Sequence, residues 1–452
     1  MIDWSAVAGE LAQLAQLDAA RPARLLSVTV ELPARPAFAL PAHDDWCAWR
    51  RPEQGLHLFG AGTAFVAESA GEGRFAALHA AQRGLAEAWC HRGPMPPRAF
   101  IGFAFAPTGG TPLPNARLWV PELLLREQHG ATALTLSCAA GEADAAPARW
   151  QSLWQALTRP PCAVPPAPTF RIPPHPLADE AFLARGRAAL RAIAAGEAEK
   201  LVLTRAIRCH ADRPIAVAPL LAALAERHPT CATFGIGQAG HAFVGASPET
   251  LLALDGERVT VDALAGTAWQ ASARALGDDK NRREHDFVAR AVAAALAAHC
   301  RDIVVPAVPE VMQLNALTHL RRRVTARRPA DLSAIDLVAR LHPTPAVGGV
   351  PGPATLDWLT RHGDHRPAWY TGGIGWIDAT GDCDIAVALR CGLIERDSAT
   401  LYAGAGFVAG SDPEQELAET EAKFTAMREA LAAVTSPARA AGSPPASRRD
   451  AA

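Results

Sequence analysis

The chain has 452 residues, of which 49% are hydrophobic and 20% are charged, and its formal net charge is -2. This composition is typical of a globular protein and argues against general disorder. With the charges so nearly balanced, nothing favours nucleic acid or an anionic membrane as a partner.

The nine cysteines are scattered, and no two of them form a Cys-x-x-Cys pair. This pattern predicts reduced, mostly buried thiols, as in a cytoplasmic protein, rather than a disulfide framework or a thiolate zinc site. The N-terminus has no basic region followed by an apolar run, and no segment is long and apolar enough to span a bilayer. We therefore expect neither a signal peptide nor a membrane helix.

The first part of the chain, 1–158, predicts a series of strands and one helix. Alternating apolar residues indicate strands at Leu25–Leu32, Leu56–Glu68, Ala99–Phe105, Leu118–Leu125 and Ala131–Cys138. The Ala-rich stretch Gly71–Cys90 is typical of a helix. Because no pattern here suggests a catalytic or binding site, we interpret 1–158 as a variable N-terminal part of the fold.

A proline-rich segment, 159–176, predicts a stiff linker. After it, Asp179 can cap a helix that Gly196 ends, and a strand follows at Lys200–Ile207. This is where we expect the catalytic region, 177–434, to begin.

The next elements are predicted hairpins. Val244–Val261 reads as two strands joined at Asp255-Gly256, and Ala368–Val408 reads as three strands with turns near Thr380-Gly381 and Arg396-Asp397. Such short turns force antiparallel pairing.

Three helices complete the pattern, at Glu284–Ala298, Leu332–Leu341 and Pro413 to about Val434. The last begins with Asp412 as cap, Pro413 at the first helical position and Gln415 as capping-box partner. The tail, 435–452, has the composition of a disordered segment. Together the elements predict an α+β fold with large, mostly antiparallel sheets and helices packed outside.

Several polar residues stand where strands end or helices begin. Glu416, Glu419 and Lys423 share one helix face, and carboxylates so placed suit Mg²⁺. From spacing alone, a solvated salt-bridge face is the commoner reading. Arg390, in a predicted strand, could bind a ligand carboxylate or an internal Asp or Glu.

The segment from about Glu199 to Ala430 closely resembles the chorismate-binding domain shared by isochorismate, salicylate, anthranilate and aminodeoxychorismate synthases. The matching runs stand in order: Lys200–Arg205, Gly245–Glu249, Ala263–Thr267, Lys280–His285, Leu341–Val347, Tyr370–Gly375, Ile385–Arg390, Tyr402–Gly406 and Glu416–Lys423. The N-terminal part resembles the family only loosely.

Three positions discriminate among the activities of that family. Isochorismate and salicylate synthases carry a lysine at the position of Lys200, where synthases that use ammonia tend to carry glutamine. Aminodeoxychorismate synthases have a lysine at the position of Ala265. The run Leu341–Val347 is similar to the corresponding run of isochorismate synthases. The resemblance therefore implies isochorismate synthase activity, which is an isomerisation. A salicylate synthase, which also eliminates pyruvate, and a catalytically silent homologue are the alternatives.

The resemblance implies a role for each matching residue. Lys200 would be the general base for water that attacks C2 of chorismate, and Glu249 the general acid for the departing C4 hydroxyl. Mg²⁺ would be held by Glu284, Glu416 and Glu419. The substrate-binding residues would be Gly266, Thr267, His342, Tyr370, Arg390, Gly404, Gly406 and Lys423.

The resemblance also implies a cytoplasmic monomer without an amidotransferase subunit, whose small-molecule substrate is chorismate. The product could feed menaquinone biosynthesis or the biosynthesis of salicylate and siderophores, and the sequence leaves both open.

Overall fold

The structure is a computed structural model that describes residues 2–17, 25–36, 40–41, 45–159, 168–269, 279–314 and 317–434. The predicted disordered tail and residues 160–167 of the predicted linker lie outside the described residues. No helix of the described part is long and apolar enough to cross a membrane.

The helices, in chain order, are α1 (Trp4–Leu17), α2 (Arg74–Glu87), α3 (Ala146–Thr158), α4 (Pro176–Ala194), α5 (Val217–Arg227), α6 (Asp279–Ala297), α7 (Ala334–Leu341), α8 (Gly352–Arg361) and α9 (Pro413–Ala433). The strands of the first half are β1 (Leu25–Leu32), β2 (Trp46–Arg51), β3 (Leu56–Ala61), β4 (Phe65–Ser69), β5 (Trp89–Arg92), β6 (Arg98–Phe103), β7 (Ala116–Val120), β8 (Leu123–Gln128), β9 (Ala131–Ala139), β10 (Phe170–Arg171) and β11 (Lys200–Ala211). Those of the second half are β12 (Ala232–Gln238), β13 (His241–Ser247), β14 (Thr250–Asp255), β15 (Arg258–Trp269), β16 (Arg301–Val304), β17 (Glu310–Leu314), β18 (Leu317–Arg327), β19 (Gly349–Val350), β20 (Gly373–Asp378), β21 (Cys383–Val387), β22 (Cys391–Glu395) and β23 (Ser398–Val408).

The strands form two large sheets. The first has the order β10-β11-β23-β22-β13-β12-β2-β3-β8-β9-β1-β5, with β19 added beside β11, and the second has the order β16-β18-β15-β14-β21-β20-β6-β7-β4, with β17 beside β18. Almost every pairing is antiparallel, β1 with β5 being parallel. The predicted α+β class with mostly antiparallel sheets is therefore confirmed.

A buried cluster joins the two sheets face to face. It includes Trp49 and Phe234 from the first sheet and Trp119 and Trp376 from the second. Since aromatic side chains bury large apolar areas, this cluster fixes the distance between the sheets at the level of the site. Helices cover the outer faces, with α9 on β23 and α6 on β15.

Both sheets combine strands from before and after the proline-rich segment. The N-terminal β2 pairs with β12, and β6 pairs with β20. Within the segment itself, Phe170–Arg171 adds a short strand to the edge of β11.

Several sequence predictions of boundaries were wrong. Leu56–Glu68 and Leu118–Leu125 each contain two strands in different sheets, because Gly62 and Pro121 interrupt them. Ala368–Val408 contains four strands, not three. Asp179 lies inside the first turn of α4, and the cap position is His175.

Other predictions are confirmed. The hairpin at Asp255-Gly256 joins β14 to β15, with Gly256 at φ 56°. Asp412 caps α9 by accepting from the backbone N–H groups of Glu414 and Gln415, so the predicted cap is confirmed.

Candidate active site

A polar cleft opens between the ends of the two sheets and the helices α6 and α9. Ten predicted site residues line it: Glu249, Gly266, Thr267, Glu284, Tyr370, Arg390, Gly404, Gly406, Glu419 and Lys423. Because β11, β15, α6, β18, β23 and α9 all contribute lining residues, the cleft exists only when the whole second half of the chain is folded.

Two crossings of the chain between the sheets place Glu249 and Arg390. Glu249 lies between β13 of the first sheet and β14 of the second, and Arg390 lies between β21 and β22. Two backbone hydrogen bonds connect these crossings. The Glu249 carbonyl accepts from the N–H of Val387 in β21 at 3.1 Å, and the Arg390 carbonyl accepts from the N–H of Ala246 in β13 at 3.2 Å. Arg390 was therefore wrongly predicted to lie in a strand, and its positive φ of 47° marks a constrained backbone.

Glu249 is a buried carboxyl with an unusual proton affinity. It is 2% exposed, and its Oε1 atom has no hydrogen-bond partner among the described residues. Burial and, to a smaller extent, the negative charge of Asp262 raise the pKa of Glu249 to about 8, against the opposing effect of Lys200 and other cations. The carboxyl is therefore mostly protonated at neutral pH and can donate a proton into the cleft.

Lys200 lies at the start of β11 and is 1% exposed. Its Nζ atom is 3.0 Å from Oε1 of Glu284, which α6 brings to the cleft. Lys200 is not itself among the cleft-lining residues, and its contact with the cleft is through Glu284.

Gly406 leaves room for this ion pair. A Cβ atom at this position would overlap Glu284 Oε1 and lie 3.0 Å from Cε of Lys200. A side chain there would require the Lys200–Glu284 pair to shift.

A second lysine and carboxylate face the cleft from α9. Lys423 Nζ lies 2.5 Å from Glu419 Oε1 and donates to the Gly404 carbonyl at 2.7 Å. Predicted Glu416 is buried at 2% exposure on the same helix, but it is not among the cleft-lining residues.

Arg390 is oriented by a histidine that the sequence analysis missed. His319 Nε2 lies 3.1 Å from Arg390 Nη2, and its Nδ1 lies 3.1 Å from Thr267 Oγ1. Since arginine only donates, Nε2 accepts and Nδ1 carries the proton. Burial, together with Arg390 and Lys423, holds the pKa of His319 well below its usual range, so the ring is neutral. No local spacing reveals this residue, because β15 and β18 meet only in the sheet.

Gly266 and Thr267 form a bulge in β15, opposite β18. Gly266 has φ 76°, and a Cβ there would lie 2.9 Å from the Asn281 carbonyl oxygen. The Thr267 N–H donates to Asn281 Oδ1 at 3.0 Å. The bulge thus fixes the start of α6 against the cleft.

Tyr370 stacks on Tyr402 with ring centroids 5.2 Å apart, and burial raises its pKa well above the usual range, so the phenol is neutral. His342 is not brought into the cleft. Its Nε2 lies 2.9 Å from the Phe105 carbonyl oxygen, its ring packs against Phe103 and Phe105, and burial lowers its pKa to about 3.

The cleft residues can be tested as a cation site. Among the described residues, no group of three or more His, Cys, Asp and Glu side chains is close enough to hold a metal ion. Glu284 and Glu419 nevertheless line one cleft, each beside a lysine. Two carboxylates that leave further positions to substrate oxygens fit the preferences of Mg²⁺.

The chain is similar to known proteins over most of its length. A family described as "Chorismate binding enzyme" matches residues 12–432. The salicylate biosynthesis isochorismate synthase of Pseudomonas aeruginosa is 31% identical over 412 residues, which cover 85% of this chain and 84% of that protein. Isochorismate synthase MenF of Bacillus subtilis is 36% identical over 242 residues, or 52% of this chain and 51% of that protein.

Solved structures show the same fold. MenF, the menaquinone-specific isochorismate synthase of Escherichia coli, superimposes with a TM-score of 0.75 at 24% identity, covering 94% of this chain and 99% of that chain. Anthranilate synthase component I of Streptococcus pneumoniae gives a TM-score of 0.63 at 19% identity, covering 90% of this chain and 92% of that chain. At these identities the likeness concerns the fold alone.

Proposed function

This chain belongs to the chorismate-binding enzyme family, and from that premise we propose that it is a Mg²⁺-dependent isochorismate synthase. Water adds to C2 of chorismate, the ring double bonds shift, and the C4 hydroxyl leaves as water, so that the reaction is an isomerisation. The observation that carries the proposal is the buried carboxyl of Glu249, with a raised pKa and an Oε1 atom that has no hydrogen-bond partner among the described residues, in a cleft that also holds cations for a dianion.

Glu249 is the general acid in this proposal. A carboxyl with a pKa of about 8 keeps its proton at neutral pH and gives it to the departing hydroxyl. Because Oε1 has no partner among the described residues, the substrate meets no competing hydrogen bond there.

Lys200 is the general base, and it must be neutral when water attacks. Glu284 is both the ion-pair partner of Lys200 and a proposed ligand of Mg²⁺. This ion pair joins the proposed base to a proposed metal ligand.

Glu284 and Glu419 would hold Mg²⁺, and Glu416 is buried on α9, the helix that carries Glu419. When bound, the metal supplies charge neutralisation for the ring carboxylate and orients the ring. Arg390 and Lys423 would bind the substrate carboxylates, with Tyr370 and the backbone near Gly266 and Gly404 as neighbours. The His342 ring is hydrogen-bonded to the Phe105 carbonyl, so we assign it a structural role and not a role in substrate binding.

Product analysis tests the proposal. Purified protein is incubated with chorismate and Mg²⁺, quenched, and separated by chromatography, with an EDTA control. Isochorismate in equilibrium with chorismate, abolished by EDTA, is expected. Salicylate with pyruvate would instead identify a salicylate synthase, and bound but unchanged chorismate would identify a silent homologue.

A further inference from the structure

Asp262 is a second buried carboxyl group next to the turn that carries Glu249. It lies on β15, is 2% exposed, and its Oδ2 atom accepts from the Thr250 N–H at 3.1 Å. Thr250 directly follows Glu249, so Asp262 holds the backbone at the position of the proposed acid. The other side of the turn is held by the Ser247 hydroxyl, which lies 3.3 Å from the Glu249 nitrogen.

We propose that Asp262 is a positioning residue for the reaction, which fixes the turn of Glu249 through the Thr250 N–H and acts on the Glu249 carboxyl by its charge. The inference rests on the proposed function, in which Glu249 is the acid. Asp262 does not line the cleft; it lines a separate cavity on the other side of the turn. It therefore acts through Glu249 and not on the substrate.

The charges around Glu249 divide into two groups. Asp262 on β15 disfavours ionisation of Glu249, while three cations from other elements favour it: Lys200, Arg390 and Lys423. Burial makes the largest contribution to the raised pKa of Glu249, and Asp262 makes the next largest. In a buried environment a nearby like charge is screened weakly, so Asp262 offsets part of the effect of the three cations.

The charge of Asp262 is itself only partly compensated. Its cross-strand neighbour Arg323 lies 3.5 Å away, with half of its side chain exposed to water. Arg51, also near Asp262, is engaged by Asp384 through two contacts of 2.6 and 2.8 Å. Among the described residues, Asp262 thus makes one ion pair, with a half-exposed arginine, and shares the nearby Arg51 with Asp384.

The Asp262→Asn variant tests the charge while keeping the fold. An asparagine Oδ1 still accepts from the Thr250 N–H, so the turn is preserved. Without the negative charge Glu249 ionises more easily, and the alkaline limb of the kcat profile should move down by roughly one pH unit. At pH well above both midpoints, kcat should then fall about tenfold, while kcat below pH 6 stays close to the wild-type value.

Arg323→Gln is the matched variant, and its predicted shift has the opposite sign. Arg323 is half exposed, so its replacement leaves the core intact. Loss of this cation strengthens the field of Asp262 at Glu249, and the alkaline limb should move to higher pH. A merely structural role of Asp262 cannot produce shifts of opposite sign in the two variants.

A readout that needs no turnover separates this inference from the proposed function. Infrared difference spectra follow the C=O stretch of the protonated Glu249 carboxyl with pH, assigned by its loss in Glu249→Gln. If wild-type protein makes no isochorismate but its Glu249 midpoint shifts in both variants as stated, the proposed function fails and the coupling stands. If the midpoint stays within a few tenths of a pH unit in Arg323→Gln and in folded Asp262→Asn, the inference is overturned.

Discussion

The Nζ atom of Lys200 lies 3.0 Å from the Oε1 atom of Glu284, and the two residues come from opposite walls, β11 and α6. The lysine is almost wholly buried, whereas the glutamate retains some exposure to the cleft. The pair therefore connects the proposed base to a carboxylate that lines the cleft.

Replacement of the lysine tests its role directly. We expect Lys200→Ala to lower kcat by at least about a hundredfold, because the variant lacks the proposed general base. Chorismate binding in the presence of Mg²⁺ should persist, since Glu284 still faces the cleft. Quenched-flow product analysis and calorimetric titration measure the two effects. A variant with a near-normal rate would show that the base is another group.

Glu249 should determine the alkaline limb of the pH profile. The proposed acid is active only when protonated, so kcat should fall as pH rises through about 8, the pKa that burial gives this carboxyl. In Glu249→Gln the residual activity should be low and nearly independent of pH in this range. If the limb near pH 8 survives in that variant, another group causes it.

The same carboxyl should make stability fall with pH. The pKa of Glu249 in the folded protein is raised from an ordinary value of 4.5 to about 8, so the folded state holds a proton that the unfolded state has lost between these pH values. The free energy of unfolding therefore decreases as pH rises across that window.

Glu249→Gln removes this loss of stability, because its amide stays neutral. Its melting temperature should exceed that of the wild-type protein at pH 8 by more than at pH 5. A constant difference between the two proteins over this range would contradict the raised pKa.

The space around the Lys200–Glu284 pair predicts a sensitive glycine. In Gly406→Ala the added methyl group overlaps Glu284 Oε1, so the pair must shift and kcat should fall at least about tenfold. Gly352→Ala is the control, since nothing lies within 4 Å of a Cβ at the start of α8. Equal activity of the two variants would mean that the pair tolerates displacement.

Ten of the residues that the sequence singled out line one cleft, whereas several of the predicted strand boundaries were wrong. Ten of the cleft-lining residues follow from the family motifs, because each motif is local and stands next to a turn or a helix start. The exchange of strands between sheets at Gly62 and Pro121 has no periodic signature, since both halves remain apolar. His319 and Asp262 were missed because their significance arises from register: each becomes important only when β15 lies beside its neighbours.

Glu419 and Glu414 on α9 allow a matched test of the proposed Mg²⁺ site. Glu419 lines the cleft, whereas Glu414 is 65% exposed near Arg187 on the protein surface. We expect Glu419→Gln to raise the Mg²⁺ concentration for half-maximal activity by roughly tenfold or more, because a hard cation loses one charged oxygen ligand. Glu414→Gln removes the same charge from the same helix and should leave that concentration unchanged. Calorimetric titration with Mg²⁺ in the presence of chorismate measures affinity without turnover. If both variants bind Mg²⁺ with the wild-type affinity, Glu419 is not a ligand. If both lose affinity to the same extent, the effect is only a general electrostatic attraction of α9 for cations.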